Sequence, residues 1–180
     1  QIQLVENFTT RRVDGMVLAP LDAQALVRPV ENAQDAGIPV VIIDSGLQSE
    51  KYVSFVATDN LKGGEMAGKF MAEQLGGKGK VILLRYAVGS ASTENRENGF
   101  LKALEAYPEI ELISSDQYAG PTRETAYQAS QNLLQRFGQE VDAIFCVNEN
   151  STIGMTKALR EIGRAGGQVK MIGFDAGAQS

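Results

Sequence analysis

Val141-Asp142-Ala143-Ile144-Phe145-Cys146-Val147-Asn148, followed at once by Glu149-Asn150-Ser151-Thr152-Ile153-Gly154, decides the fold. An apolar run of strand length that ends in a polar side chain and then in helix-starting residues is the pattern of a parallel strand buried on both faces. Asn148 then stands at the strand's carboxyl end. The pattern recurs: Met16-Val17-Leu18-Ala19-Pro20 precedes Asp22, Val40-Val41-Ile42-Ile43 precedes Asp44-Ser45, and Val169-Lys170-Met171-Ile172-Gly173-Phe174 precedes Asp175. Ligands of open α/β sheets bind beyond the carboxyl ends of the strands, which makes these polar endings the first candidates for function.

Working outward, the remaining segments alternate in the same way. Ile2, Val5 and Phe8 have helical spacing with no start signal before them. Asp22 is a cap for a helix carrying Leu26, Val30 and Ala33, in which Pro29 demands a kink or a late start. Thr58-Asp59-Asn60 caps a helix with Ala67, Phe70, Met71 and Leu75 inward, and Gly63-Gly64 in its first turn points to close backbone approach. Val81–Leu84 and Ile110–Ile113 read as strands. Between them a helix ending near Ala106 carries Phe100, Ala103 and Leu104, and Pro121-Thr122 opens another with Ala126, Ala129, Leu133 and Phe137. Ile153, Leu159 and Ile162 line a further helix that stops at Gly163. Regular alternation of strands and helices predicts an α/β fold, with parallel sheets flanked by helices on both faces.

The 180 residues carry 43% hydrophobic and 22% charged side chains and a net charge of −5, an ordinary globular composition without a basic face for a phosphate backbone. There is no histidine and one cysteine, which removes the main participant of zinc, haem and Ser-His-Asp chemistry and leaves no internal disulfide. Cys146 sits in an apolar run and reads as a small buried hydrophobe. No metal or cofactor is called for. Gly76-Gly77-Lys78-Gly79-Lys80 has the composition of a phosphate loop but follows a helix and opens a strand, the reverse of what phosphate binding needs. No apolar stretch approaches the roughly 20 residues of a membrane span.

Six segments in one order resemble the periplasmic sugar-binding proteins of the ribose-binding type, whose type I fold is shared with the sensor domains of LacI/GalR repressors. They are Val13–Pro20, Gly37–Asp44, Asp59–Gly64, Arg96–Phe100, Cys146–Glu149 and Ile172–Asp175, and the resemblance runs over essentially the whole chain. It implies two lobes, 1–57 as part of the N-terminal one and 58–180 as most of the C-terminal one. The sequence then reads as a piece of a longer protein.

The resemblance also implies ligand contacts. Asp44, Arg96, Asn148 and Asp175 match positions where the family hydrogen-bonds sugar hydroxyls. Ser45, also expected as a ligand contact, stands where ribose binders carry a second arginine, and Pro121 where they carry an aromatic. Each residue has a plainer reading: Asp44, Asn148 and Asp175 as turn-formers or caps, Arg96 as a solvated helix residue. The chemistry suits a sugar, because a carboxylate accepts two hydroxyls, a guanidinium donates in a fixed fork and an amide does both. The function implied is a non-enzymatic, monomeric receptor that takes a small monosaccharide to the membrane permease of an ABC-type importer, in the periplasm or another extracytoplasmic space. The alternative is the effector-sensing domain of a LacI/GalR-type regulator. Two carboxylates also satisfy the minimum for glycoside hydrolysis, the weakest of the three readings.

Overall fold

The computed structural model describes residues 1–175 and 177. Its elements run α1 (Ile2–Thr10), β1 (Met16–Leu18), α2 (Val27–Asp35), β2 (Val40–Ile43), β3 (Ser54–Val56), α3 (Asn60–Gln74), β4 (Lys78–Arg85), α4 (Ala91–Leu104), β5 (Glu109–Tyr118), α5 (Arg123–Phe137), β6 (Ala143–Cys146), α6 (Glu149–Glu161) and β7 (Lys170–Gly173). All strand pairs are parallel, in one sheet ordered β1-β2-β3 and another ordered β5-β4-β6-β7. The chain forms two compact units, residues 1–59 with 88–94, and residues 60–87 with 95–180.

In the second unit, the unbroken apolar runs of β4 and β6 follow from burial on both sheet faces. Ile82, Leu84, Ile144 and Cys146 join Ala126, Leu133, Met155 and Leu159 of α5 and α6 in one core. Val81, Leu83, Ala143 and Phe145 join Ala67 and Met71 of α3 and Phe100 of α4 in the other. Phe100 and Phe145 stack there with ring centroids 4.5 Å apart. Phe70, expected inward, is 53% exposed, because Ala67 and Met71 one turn apart take the sheet-facing positions. Ile162, also expected inward, is the C-cap of α6 and stands exposed; Gly163 beyond it, at φ +70°, supplies the left-handed turn that ends the helix.

In the first unit, Val5 of α1, Val30 and Ala33 of α2, and Val40 and Ile42 of β2 share one core. Both helices therefore cover one face of this sheet, whereas helices on both faces were expected; Val17, Ile43 and Val56 on the other face are exposed. Asp22 does not cap α2. Its carboxylate accepts from the N–H groups of Gln24 and Ala25, which closes a turn and holds the group below the usual carboxylate range. The helix starts late, at Val27, so Pro29 falls in its first turn, where a missing N–H costs no helical hydrogen bond.

Strand β5 is longer than the apolar run predicted. Its register against β4 slips between Val81 and Ile82 and again before Leu84, each time with an extra residue on β5. As the edge strand it tolerates these bulges and the polar Ser114–Tyr118.

Cys146 is fully buried in β6, and burial alone pushes its thiol well above the ordinary value. A thiol-reactive reagent at pH 8 should leave Cys146 unmodified in the native protein and modify it fully in denaturant, read by mass spectrometry of the digested chain. The raised pKa also fixes a sign. Its stabilising effect is complete below about pH 8.5, the ordinary thiol value, and is lost above it at about 1.4 kcal/mol per pH unit.

Candidate functional site

Two glycine contacts between α3 and α4 place the central side chain of the site. A Cβ on Gly64 would overlap the carbonyl oxygen of Arg96, and one on Gly99 would overlap that of Leu61. The two backbones therefore touch directly, the close approach that Gly63-Gly64 predicts. Arg96, in the second turn of α4, is brought beside Asn60, the first residue of α3.

Arg96 is 4% exposed, and its guanidinium is held on three sides. Its Nε donates to Asn60 Oδ1 (2.8 Å), its Nη1 donates to the Val147 carbonyl (2.8 Å) and to Asp175 Oδ2 (3.1 Å), and its Cζ lies 3.8 Å above the centre of the Phe174 ring. Nη2 has no acceptor among the described residues. The arginine is thus oriented in advance, with one end of its fork left for something else. The reading of Arg96 as a solvated helix residue falls on its burial.

Asp175 arrives because the β6–β7 ladder continues one step past β7: the Phe174 N–H donates to the Cys146 carbonyl (3.1 Å). Its side chain is 47% exposed, so the pair with Arg96 is open to solvent on the acid's side. Asp175 has φ +65° and Asp44 has φ +63°; with Arg12 they are the three non-glycine residues at positive φ among those described. Two acids picked out as strand endings thus both sit in a backbone region that aspartate tolerates and that concentrates at functional sites.

Asn148 is the N-cap of α6. Its Oδ1 accepts from the Ser151 N–H (3.0 Å), and in return the Asn148 N–H donates to the Ser151 hydroxyl oxygen (3.1 Å). The cap reading is therefore correct, and it occupies the amide oxygen alone; Nδ2 has no acceptor among the described residues. Asn148 directly follows Val147, whose carbonyl holds Arg96.

Asp44 and Ser45 belong to the first unit. The Asp44 N–H donates to the Val56 carbonyl (2.9 Å), extending the β2–β3 ladder, and its side chain is exposed. Ser45 is 3% exposed, and its Oγ accepts from the N–H of Ser92 (3.1 Å), the second residue of α4, whose N–H has no partner inside the helix. Its hydroxyl is engaged in starting α4. A hollow of about 280 Å³ beside α1 and β1 is lined by Leu4, Val5, Phe8, Val13 and Met16 among others and contains none of the site residues. Among the described residues, no three His, Cys, Asp or Glu side chains converge as a metal site.

Sequence reasoning missed three groups at Arg96: the Asn60 amide, which reads as part of a cap, the Phe174 ring, and the Val147 carbonyl. The one available signal for Asn60 was Gly64 and Gly99, small residues on consecutive helices.

A family model for a periplasmic binding protein domain matches residues 1–180. The chain belongs to that family. It is 34% identical over 171 residues to the ribose import binding protein of Bacillus subtilis, covering 95% of this chain and 54% of that protein. Among solved structures it is similar to an ABC transporter solute-binding protein of Agrobacterium vitis with bound D-fucose, at 36% identity and a TM-score of 0.90 over 97% of this chain and 60% of that one. It is likewise similar to the periplasmic component of an ABC-type sugar transport system of Hahella chejuensis, at 34% identity and a TM-score of 0.92 over 98% of this chain and 64% of that one. The chain spans about half the length of the curated relatives it matches. Its α/β fold, with parallel sheets flanked by helices, is that of the family.

Proposed function

We propose that the protein containing this chain captures a small sugar between two lobes and delivers it to an ABC-type importer, without transforming it. Residues 1–57 contribute to one lobe and most of 58–180 to the other, with 58–59 and 88–94 packing in the first unit. The observation that carries the proposal is the Arg96–Asp175 pair. A sugar hydroxyl accepts from the free Nη2 of Arg96 and donates to Asp175, while the guanidinium charge offsets the carboxylate so that an uncharged ligand meets a balanced site. Asn148 Nδ2 and the Asp44 carboxylate supply further contacts of the same kind. Ser45 contributes through the Ser92 bond, by holding the start of α4. The relatives' names, a ribose import protein and a D-fucose-bound transporter component, support the ligand class, and the family's description supports a periplasmic or other extracytoplasmic place of work, with a membrane permease as partner.

A thermal-shift screen of the intact protein against pentoses and hexoses tests this reading, since a ligand that binds only the folded state raises the melting temperature. Stabilisation by at least one monosaccharide is expected; none by any of them would remove the proposal. Asn148→Asp separates capping from binding at the same position. Aspartate caps a helix as well as asparagine, so stability should change by less than about 0.5 kcal/mol, whereas loss of the Nδ2 donors should weaken sugar binding about tenfold.

A further inference from the structure

Asn60 lies outside every set of residues so far assigned to the ligand, yet it holds the side chain on which the binding proposal rests. It is 6% exposed, and its Oδ1 receives the Nε–H of Arg96 at 2.8 Å. As the first residue of α3 it has no need to use its side chain as the helix cap, and the side chain is turned instead toward the neighbouring helix.

The geometry points to Asn60 as the positioning residue for Arg96. The Phe174 ring fixes the plane of the guanidinium but leaves it free to turn within that plane, because a stack has no preferred direction around its normal. The Val147 carbonyl and Asp175 both hold Nη1, at one corner of the fork. A second anchor on a different nitrogen is needed to stop rotation, and Asn60 supplies it at Nε. With Nε and Nη1 both taken, the outward direction of Nη2 is determined. The neutral amide also matters. An aspartate here would give the buried guanidinium a second carboxylate besides Asp175 and draw its charge away from the ligand side, whereas an amide oxygen orients it and leaves the charge in place.

Gly64 and Gly99 make this contact possible, because any side chain on either would part the first turn of α3 from the second turn of α4. The inference deepens the sugar-binding reading and rests on it for its meaning, but the hydrogen bond has a consequence that needs no ligand.

The experiment compares wild type, Asn60→Ala and Asn60→Asp in the intact protein. It reads the unliganded melting temperature, the affinity for the sugar that stabilises wild type most in a monosaccharide screen, and solvent exchange of the Arg96 Nε–H by NMR. In Asn60→Ala, affinity should fall at least tenfold and Nε–H exchange should accelerate by a similar factor. Asn60→Asp, which keeps the acceptor, should restore slow exchange and recover part of the affinity. Unchanged affinity and exchange in Asn60→Ala would overturn the inference. So would an affinity loss that simply follows a lower unliganded melting temperature and is not recovered by Asn60→Asp. If wild type binds no sugar, the sugar reading fails by itself, and the exchange rates still decide whether Asn60 holds Arg96.

Discussion

Replacing Arg96 by alanine should abolish sugar binding and also weaken the second unit. The binding loss follows from the bonds that Arg96 offers. Hydrogen bonds from a charged donor contribute about 1.5 to 3 kcal/mol each, and about 1.4 kcal/mol is a factor of ten, so two such bonds correspond to a loss of at least about a hundredfold. The stability loss follows from what remains. Asn60 Oδ1 and the Val147 carbonyl lose their donor, and each buried acceptor left unsatisfied costs about 1 to 3 kcal/mol. The exposed side of Asp175 limits what its ion pair adds, because solvent screens it. A net destabilisation of about 3 kcal/mol is expected, measured by denaturant unfolding of the unliganded protein. Arg96→Lys keeps the charge but not the planar fork, so it should stack poorly on Phe174 and bind far less well than wild type.

The second large effect is expected at Gly64. On an exposed stretch of helix, glycine to alanine stabilises by about 1 kcal/mol, because glycine gives up more backbone freedom on folding. Here the sign should reverse. The added methyl would overlap the carbonyl of Arg96, a backbone atom that moves only if α4 moves with it. Overpacking of this kind costs about 1 to 3 kcal/mol, and more where backbone must shift, so Gly64→Ala should destabilise by about 2 to 3 kcal/mol after its helix gain is counted. Lys69→Ala, on the exposed side of the same helix, is the control and should be close to neutral. Because the displaced carbonyl belongs to Arg96 itself, sugar affinity should fall in Gly64→Ala as well, although no ligand contact has been removed.

These two residues also mark where the sequence was legible and where it was not. The runs of β4 and β6 announced themselves because burial on both faces leaves no polar residue to interrupt them, and their alternate side chains do divide between two cores. Asn148 was visible as a polar strand ending above a helix start. Its dual nature, an amide oxygen bound to Ser151 and an amide nitrogen left free, depends on a rotamer that no pattern encodes. The late start of α2 was foreshadowed by Pro29, whose ring is acceptable only in a first turn.

The polar half of β5 escaped notice because an edge strand with two bulges need not alternate cleanly. Phe70 was placed inward since it shares a face with apolar neighbours at helical spacing, and only the packing of Met71 against the sheet decides otherwise. The Asn60–Arg96 contact spans 36 positions and exists because two glycines let the helices touch. Such a contact is a property of the folded unit. The residue types hinted at its cause without naming its partner.

The most direct test of the account is calorimetric titration of monosaccharides, D-ribose and D-fucose among them, into the intact protein and into its Arg96→Ala variant. Saturable, one-to-one binding of at least one sugar by the wild type is expected, with none measurable for the variant. Failure of the wild type to bind any of them, or equal affinity in the variant, would contradict it.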